Sequence, residues 1–390
     1  MPPSAPLNTD PEELALMRDS ARRLADSAFR PRAAEWDREA KPPLPNLGTL
    51  AENGLAGITV AEEDGGSGAT VVHAVVAAEE VARACPVTAA LILANCVSAE
   101  ILQAFGTEAQ RRKYLPPLAA GEVLGAWAMT ESGAGSDAGE MRATAHPDGD
   151  DYVITGTKCF ITRAAIADFF IFFARVGDAP GSKAVAAFLI DKGTAGLELG
   201  ARDLHMGLRG GASAEVIAQE CRVSGEQMIV APGTLAKVMR GLNQARVLNP
   251  AICLGIAAEA LDLAVRYAHE RQAFGRNIAR FQGIQWMFAD METGVEAMRL
   301  MIYRAAEMLA AGDPDGPHRA ATAKLFAGET AFDVVNKAMQ IHGGYGYSTE
   351  FPLERMLRDV RAFQLGGGTN EILRNRIAAG LYRRWESGQS

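Results

Sequence analysis

Reactive and metal-binding side chains are sparse in this 390-residue sequence, and what is missing narrows its function. Its five cysteines (Cys85, Cys96, Cys159, Cys221 and Cys253) include no CxxC pair, so buried, reduced thiols are expected rather than a disulfide framework or redox motif. The six histidines (His73, His146, His205, His269, His318 and His342) show no metal-ligand spacing, and no metal site is expected. GxSxG and P-loop patterns are absent, which argues against a nucleophile elbow and a nucleotide-triphosphate cradle. A net charge of −8 leaves no basic footprint for nucleic acid. Apolar runs such as "DFFIFFARV" fall short of the ~20 residues that span a bilayer. The opening "PPSAPLNTDPEE" has neither a signal-peptide core nor an Arg-rich transit pattern, so the cytoplasm is the expected compartment.

What remains is a chain that is 48% hydrophobic and 22% charged, long enough for two or three structural units. Asp10-Pro11 followed by Glu13 is a helix-start signature, and Leu14, Met17, Ala21, Leu24 and Ala28 then share one face. Further helices are expected through "TVVHAVVAAEEVARAC", "AALILANCVSAEILQAF" and "EAQRRKYLPPLAAG". From about Val123 to Ile229 the period changes to strands: "DYVITGTKCFIT", "DFFIFFARV", "KAVAAFLID" and "AEVIAQECRV", separated by turn signals. Without intervening helices, an antiparallel sheet is expected there. Long helical runs return after Gly233. The fold class is therefore α+β, with an N-terminal helical domain (1–122), a middle antiparallel β domain (123–232) and a C-terminal four-helix bundle (233–390).

Several segments gain weight together: "WAMTESGAGSD" (127–137), "GTKCFIT" (156–162), "RQAFGRNIARFQGIQ" (271–285), "QIHGGYGY" (340–347) and "RMLRDVRAFQLGGGTNEI" (355–372). In this order and spacing the chain resembles the acyl-CoA dehydrogenase family over essentially its whole length. The resemblance implies the same α–β–α fold and a homotetramer with one non-covalent FAD per subunit. It also implies an acyl-CoA or acyl-carrier-protein thioester as substrate, and an electron-transferring flavoprotein as electron acceptor.

The resemblance carries roles onto matching positions. Trp127, Met129, Thr130, Gly135 and Ser136 would line the flavin, Ser136 also meeting substrate. Phe160 would stack near the ring and Thr162 would bond close to N5. Arg271, Phe274 and Gln282 match residues that reach a neighbouring subunit's FAD, the arginine on its pyrophosphate. Gln340, Gly343, Gly344, Thr369 and Glu371 match further dinucleotide contacts. Asn243 and Arg246, three apart on one helical face, would orient substrate. Arg163 stands where the family commonly has asparagine; it puts a cation near the flavin rim and reads as solvated.

The family reaction removes an α-proton with a carboxylate while the β-hydride passes to flavin N5. It needs a polarised carbonyl and a nearby base in a dry site. In one branch the base is the Glu of a "YEGT"-like segment, and that position is Gly367. In another it precedes an arginine on a bundle helix, and that position is Ala245, before Arg246. Both carboxylate positions are empty. The backbone N–H of Gly367 still marks the catalytic site, because carbonyl polarisation needs no side chain. Pro250 is expected to disturb the helix after Arg246.

The sequence leaves three readings. One is α,β-dehydrogenation with a relocated base, with Glu79 or Glu80 as candidates. Another is thioester chemistry without proton removal, reductive, isomerising or C–S-cleaving. Local resemblance to the sulfinopropionyl-CoA desulfinases points to the last, although the arginine of that branch aligns with Ala90. The third is a non-catalytic FAD-binding homologue.

Overall fold

The computed structural model describes residues 10–235, 238–239 and 243–386. The N-terminal helices are α1 (Pro11–Leu24), α2 (Ala33–Arg38), α3 (Leu44–Glu52), α4 (Val71–Ala84), α5 (Pro86–Phe105) and α6 (Glu108–Ala119). The expected start of α1 is present: the Asp10 side chain accepts from the Glu12 N–H, with proline in the first turn. α4 and α5 are buried on nearly every face and pack against the C-terminal helices, so the first and last parts of the chain share one core.

The middle of the chain forms an eight-stranded sheet. Its strands are β1 (Gly125–Ala128), β2 (Thr144–Asp148), β3 (Asp151–Ile161), β4 (Phe169–Arg175), β5 (Val185–Asp191), β6 (Leu197–Arg202), β7 (Ala214–Ser224) and β8 (Met228–Val230). The path runs β6-β7-β3-β2-β4-β5-β8, with β1 beside β4. The sheet is mixed rather than purely antiparallel, because β1 runs parallel to β4 and β2 meets β4 in parallel at Thr144 and Arg175. The cause is that the chain leaves α6 and enters β1 alongside β4 instead of through a hairpin, an arrangement no local turn signal encodes. β4 explains the run "FFIFF": Phe169, Ile171 and Phe173 pack in one core and Phe170 and Phe172 in another, so both faces are apolar.

The C-terminal part holds α7 (Asn243–Glu270), a short ribbon of β9 (Gln272–Ala273) and β10 (Arg276–Asn277), then α8 (Gln282–Ala310) and α9 (Gly316–His342). α10 (Gly344–Tyr347), α11 (Leu353–Ala362) and α12 (Asn370–Glu386) complete it. Contrary to expectation, α7 runs unbroken through Pro250. A proline inside a helix costs ~3 kcal/mol. Val247, Leu248, Ile252 and Leu254 are fully buried around it, and each large side chain returns ~1.5–3 kcal/mol. α5 and α7 are long and apolar enough to cross a bilayer, but most of their surface is covered by the protein itself.

Candidate functional site

The loop between β1 and β2 is tied to the sheet by a buried ion pair. Lys158 on β3 donates to Glu131 Oε1 at 2.6 Å, and the Glu131 carboxylate also accepts from the N–H groups of Arg142 and Ala143. Burial works against the charge on Glu131, but Lys158 and these N–H groups outweigh it and lower its pKa. This clamp, invisible to motif reading, leaves Gly133, Gly135 and Ser136 open at the loop's crest. Trp127 tilts on Phe173 at 4.4 Å, and Met129 is buried beneath Thr130, whose carbonyl accepts from the Cys159 N–H.

Phe160 follows on the same strand, 63% exposed and held at φ 57°. A large aromatic in a left-handed backbone, presented outward beside exposed Thr162, offers a flat face for stacking. A planar ring system fits it.

A second cluster lies at the end of α9. Arg271, Gly343, Gly344 and His342 line a cavity of about 500 Å³. Added Cβ atoms on either glycine would meet nothing within 4 Å, so backbone can approach a ligand there. His342 stacks on Tyr267 at 4.2 Å, and burial lowers its pKa, keeping that ring neutral. The structure thus brings Arg271 together with Gly343 and Gly344. Gln340 is exposed at the end of α9, and its carbonyl accepts from the Gly343 N–H. Phe274, 94% exposed, and Gln282 are not among the residues that line that cavity. The arginine, the open glycines and the exposed aromatic are the donor set a flavin dinucleotide needs, so these residues fit FAD.

The triple glycine joins α11 to α12 and faces the first turns of α7. Gly367 has φ 69°, and a Cβ there would meet Asn249 Nδ2 at 2.9 Å. Asn249 donates to the Ala245 carbonyl at 2.8 Å. Gly367 and Ala245, the two positions at which the sequence led us to expect a base, are therefore linked through one side chain, and that side chain is an amide. It was legible as the single polar residue in the apolar stretch "VLNPAICL", yet was not singled out. From below, buried Lys324 donates to the Gly368 carbonyl at 2.7 Å. Burial pushes the Lys324 pKa down to about 8. Thr369 and Glu371 begin the following turn, Glu371 exposed.

Arg246 is buried, donating to Asn243 Oδ1 at 3.2 Å and the Met239 carbonyl at 2.7 Å, so these two residues bond to each other. Facing the same helix start is Glu100, whose carboxyl accepts from the N–H groups of Asn243 and Gln244. Burial raises its pKa to about 8, against those bonds and Arg246.

The relocated-base candidates fail. Glu79 and Glu80 are 1% exposed and saturated by Arg18, Arg22, Arg299 and Tyr303, leaving no free oxygen for substrate. Arg163 also departs from expectation. It is half-buried rather than fully solvated: its Nε is shielded without a hydrogen-bond partner, and burial lowers its pKa to about 10.

The acyl-CoA dehydrogenase N-terminal, middle and C-terminal domains match residues 11–122, 126–221 and 235–382. The short-chain-specific acyl-CoA dehydrogenase of Clostridium acetobutylicum is 38% identical over 95% of this chain and 98% of its own length. The acryloyl-CoA reductase (NADH) of Anaerotignum propionicum is 40% identical over 95% of each. Butyryl-CoA dehydrogenase from Megasphaera elsdenii superposes with a TM-score of 0.92 at 33% identity, over 96% of this chain and 99% of its own. With these domains in order along nearly its full length, the chain belongs to the acyl-CoA dehydrogenase family, FAD-dependent oxidoreductases that act on acyl-CoA thioesters.

Proposed function

We propose that this chain exchanges hydrogen across the α,β-bond of an acyl thioester without a carboxylate at either usual position, the α-proton passing to and from water. The observation that carries this reading is Asn249. It sits between Gly367 and Ala245, donating to one backbone and abutting the other, where a base would need room.

Bound FAD supplies the hydride exchange at the β-carbon. The protein's share is to hold the thioester and polarise its carbonyl. The Gly367 N–H is the expected donor, on a loop fixed by the Lys324–Gly368 contact. Without a carboxylate, the α-proton must leave to water in dehydrogenation and come from water in reduction, through one transition state, so both directions are slowed by the same factor. Which direction predominates is then set by the potential of the bound flavin and by its electron partner. Relatives are named for each direction, the short-chain-specific acyl-CoA dehydrogenase and the acryloyl-CoA reductase.

The site assignments belong to this reading. The flavin would meet Trp127, Met129, Thr130, Gly135, Ser136, Phe160 and Thr162. Arg271, Phe274, Gln282, Gln340, Gly343, Gly344, Thr369 and Glu371 would hold dinucleotides within a tetramer. Outward-facing Phe274, Trp286, Leu300 and Trp385 offer apolar surface for subunit contacts. The division at 122/123 and 232/233, a cytoplasmic setting and an electron-transferring flavoprotein partner complete it.

The experiment is anaerobic. The chemically reduced holoprotein is mixed with 2-enoyl-CoAs, and the oxidised holoprotein with the matching saturated thioesters and 3-sulfinopropionyl-CoA, while flavin absorbance is followed. Slow bleaching by saturated thioesters and slow reoxidation by the matching enoyl-CoAs are expected, in the ratio set by their equilibrium constant. Fast bleaching by saturated thioesters would mean that a base stands elsewhere in the site. Turnover of the sulfinate without net bleaching would assign C–S cleavage, and silence in every arm would leave a non-catalytic homologue.

A further inference from the structure

Arg163 is a cation without an anion. It lies in the turn after β3, directly following Thr162. Its backbone is pinned there: its N–H donates to the Gly211 carbonyl, and its own carbonyl accepts from Ile166 and Ala167. At φ 68° this arginine occupies a left-handed conformation that side chains other than glycine and asparagine adopt reluctantly. The strain is tolerated because the surroundings hold it, a pattern that clusters at functional sites.

The side chain reaches α5. Nη1 contacts the Ala90 carbonyl at 3.5 Å, the long limit for a hydrogen bond, and Nε has no partner. No carboxylate among the described residues contributes to its environment; burial alone lowers its pKa, to about 10, so it remains positive at neutral pH. Arg18, Arg30 and Arg358, by contrast, each meet carboxylates at 2.6–2.8 Å, and buried Arg246 is held by Asn243 and the Met239 carbonyl. A half-buried guanidinium with a shielded, unused Nε gains from an anion that joins it.

The wall it touches is unusual too. α5 is buried almost throughout, yet Val87, Ala90, Leu93, Val97 and Glu100 are half-buried and fall on one face. This is an apolar stripe left partly uncovered inside the protein. Arg163 closes it at the Ala90 end, while Glu100 and the start of α7 stand at the other.

We infer that Arg163 seats an anionic group at the end of the acyl moiety, so that the substrates are short acyl thioesters ending in an oxyanion such as a carboxylate. The inference rests on the thioester reading above. Thr162 is the residue expected beside the reacting bond, and Arg163 follows it directly, its side chain running on to Ala90 of α5, so an acyl chain ending at that guanidinium is short. Succinyl- and glutaryl-CoA fit; long-chain thioesters do not.

The test compares dissociation constants on the FAD-loaded protein, by anaerobic calorimetry, for succinyl-CoA, glutaryl-CoA, their neutral counterparts butyryl- and valeryl-CoA, and CoA itself. Wild type should bind the anionic thioesters roughly 10- to 100-fold more tightly than the neutral ones, the size of a charge-assisted hydrogen bond. Arg163→Gln should erase that difference while butyryl-CoA affinity and FAD content stay unchanged, and Arg163→Lys should restore part of it. The inference is overturned if wild type shows no preference for the anionic series, if Arg163→Gln weakens neutral and anionic thioesters equally, or if both variants lose FAD. Failure of butyryl-CoA and CoA to bind at all would instead remove the thioester reading, and this inference with it.

Discussion

Restoring a carboxylate to this site should succeed at one of the two family positions and be penalised at the other. Gly367 sits at φ 69°, and placing a side chain in that left-handed backbone costs ~1–2 kcal/mol. Its new Cβ would meet Asn249 Nδ2 at 2.9 Å. The amide can swing away only by giving up its bond to the Ala245 carbonyl, worth ~1 kcal/mol. Gly367→Glu should therefore lose about 2–3 kcal/mol, a fall in Tm of roughly 5 °C. Ala245→Glu lies in regular α7 with no such conflict, and glutamate differs from alanine in helix propensity by only a few tenths of a kcal/mol. Differential scanning fluorimetry on the FAD-loaded variants gives the stability ranking. Anaerobic bleaching by a saturated thioester gives the catalytic one. Ala245→Glu should keep wild-type stability and gain more dehydrogenation. In an Asn249→Ala background, which has already forfeited that bond, Gly367→Glu should cost only the backbone part, ~1–2 kcal/mol. A Gly367→Glu variant as stable as wild type would refute both the left-handed loop and its contact with Asn249.

Further outcomes follow from the buried charges. Glu100 has its pKa raised to about 8 by burial, so the folded state holds its proton more tightly than the unfolded chain. Its stabilising contribution is complete below pH ~4.5 and is lost as pH rises towards 8; Glu100→Gln should flatten the decline in Tm across that window, and an unchanged pH profile would count against a neutral Glu100. Lys158→Met removes one partner of a buried pair and leaves Glu131 charged in the sheet, which should cost ~3 kcal/mol by urea denaturation. A loss under 1 kcal/mol would mean that the Arg142 and Ala143 N–H groups alone hold that carboxylate.

Periodicity and spacing determined much of this protein by themselves. The order of helices, strands and helices is local information, set by side chains that must face a core. The glycines and aromatics at 127–137, 156–162, 271–285 and 340–372 kept an order that named the family before any contact was known. The loss of both carboxylates was equally visible, since an absent side chain needs no geometry. What the sequence could not supply were pairings between segments far apart in the chain. The parallel entry of β1 beside β4, Lys158 under Glu131, Lys324 beneath the triple glycine and Asn249 between Gly367 and Ala245 all depend on which surfaces meet. Arg163 shows why most clearly. Arginine in a turn reads as solvated, because hydration is the default for a charge; only when α5 packs beside that turn is its Nε shut away from water without a partner. Desolvation is a property of the assembled fold, and so is the chemistry it allows.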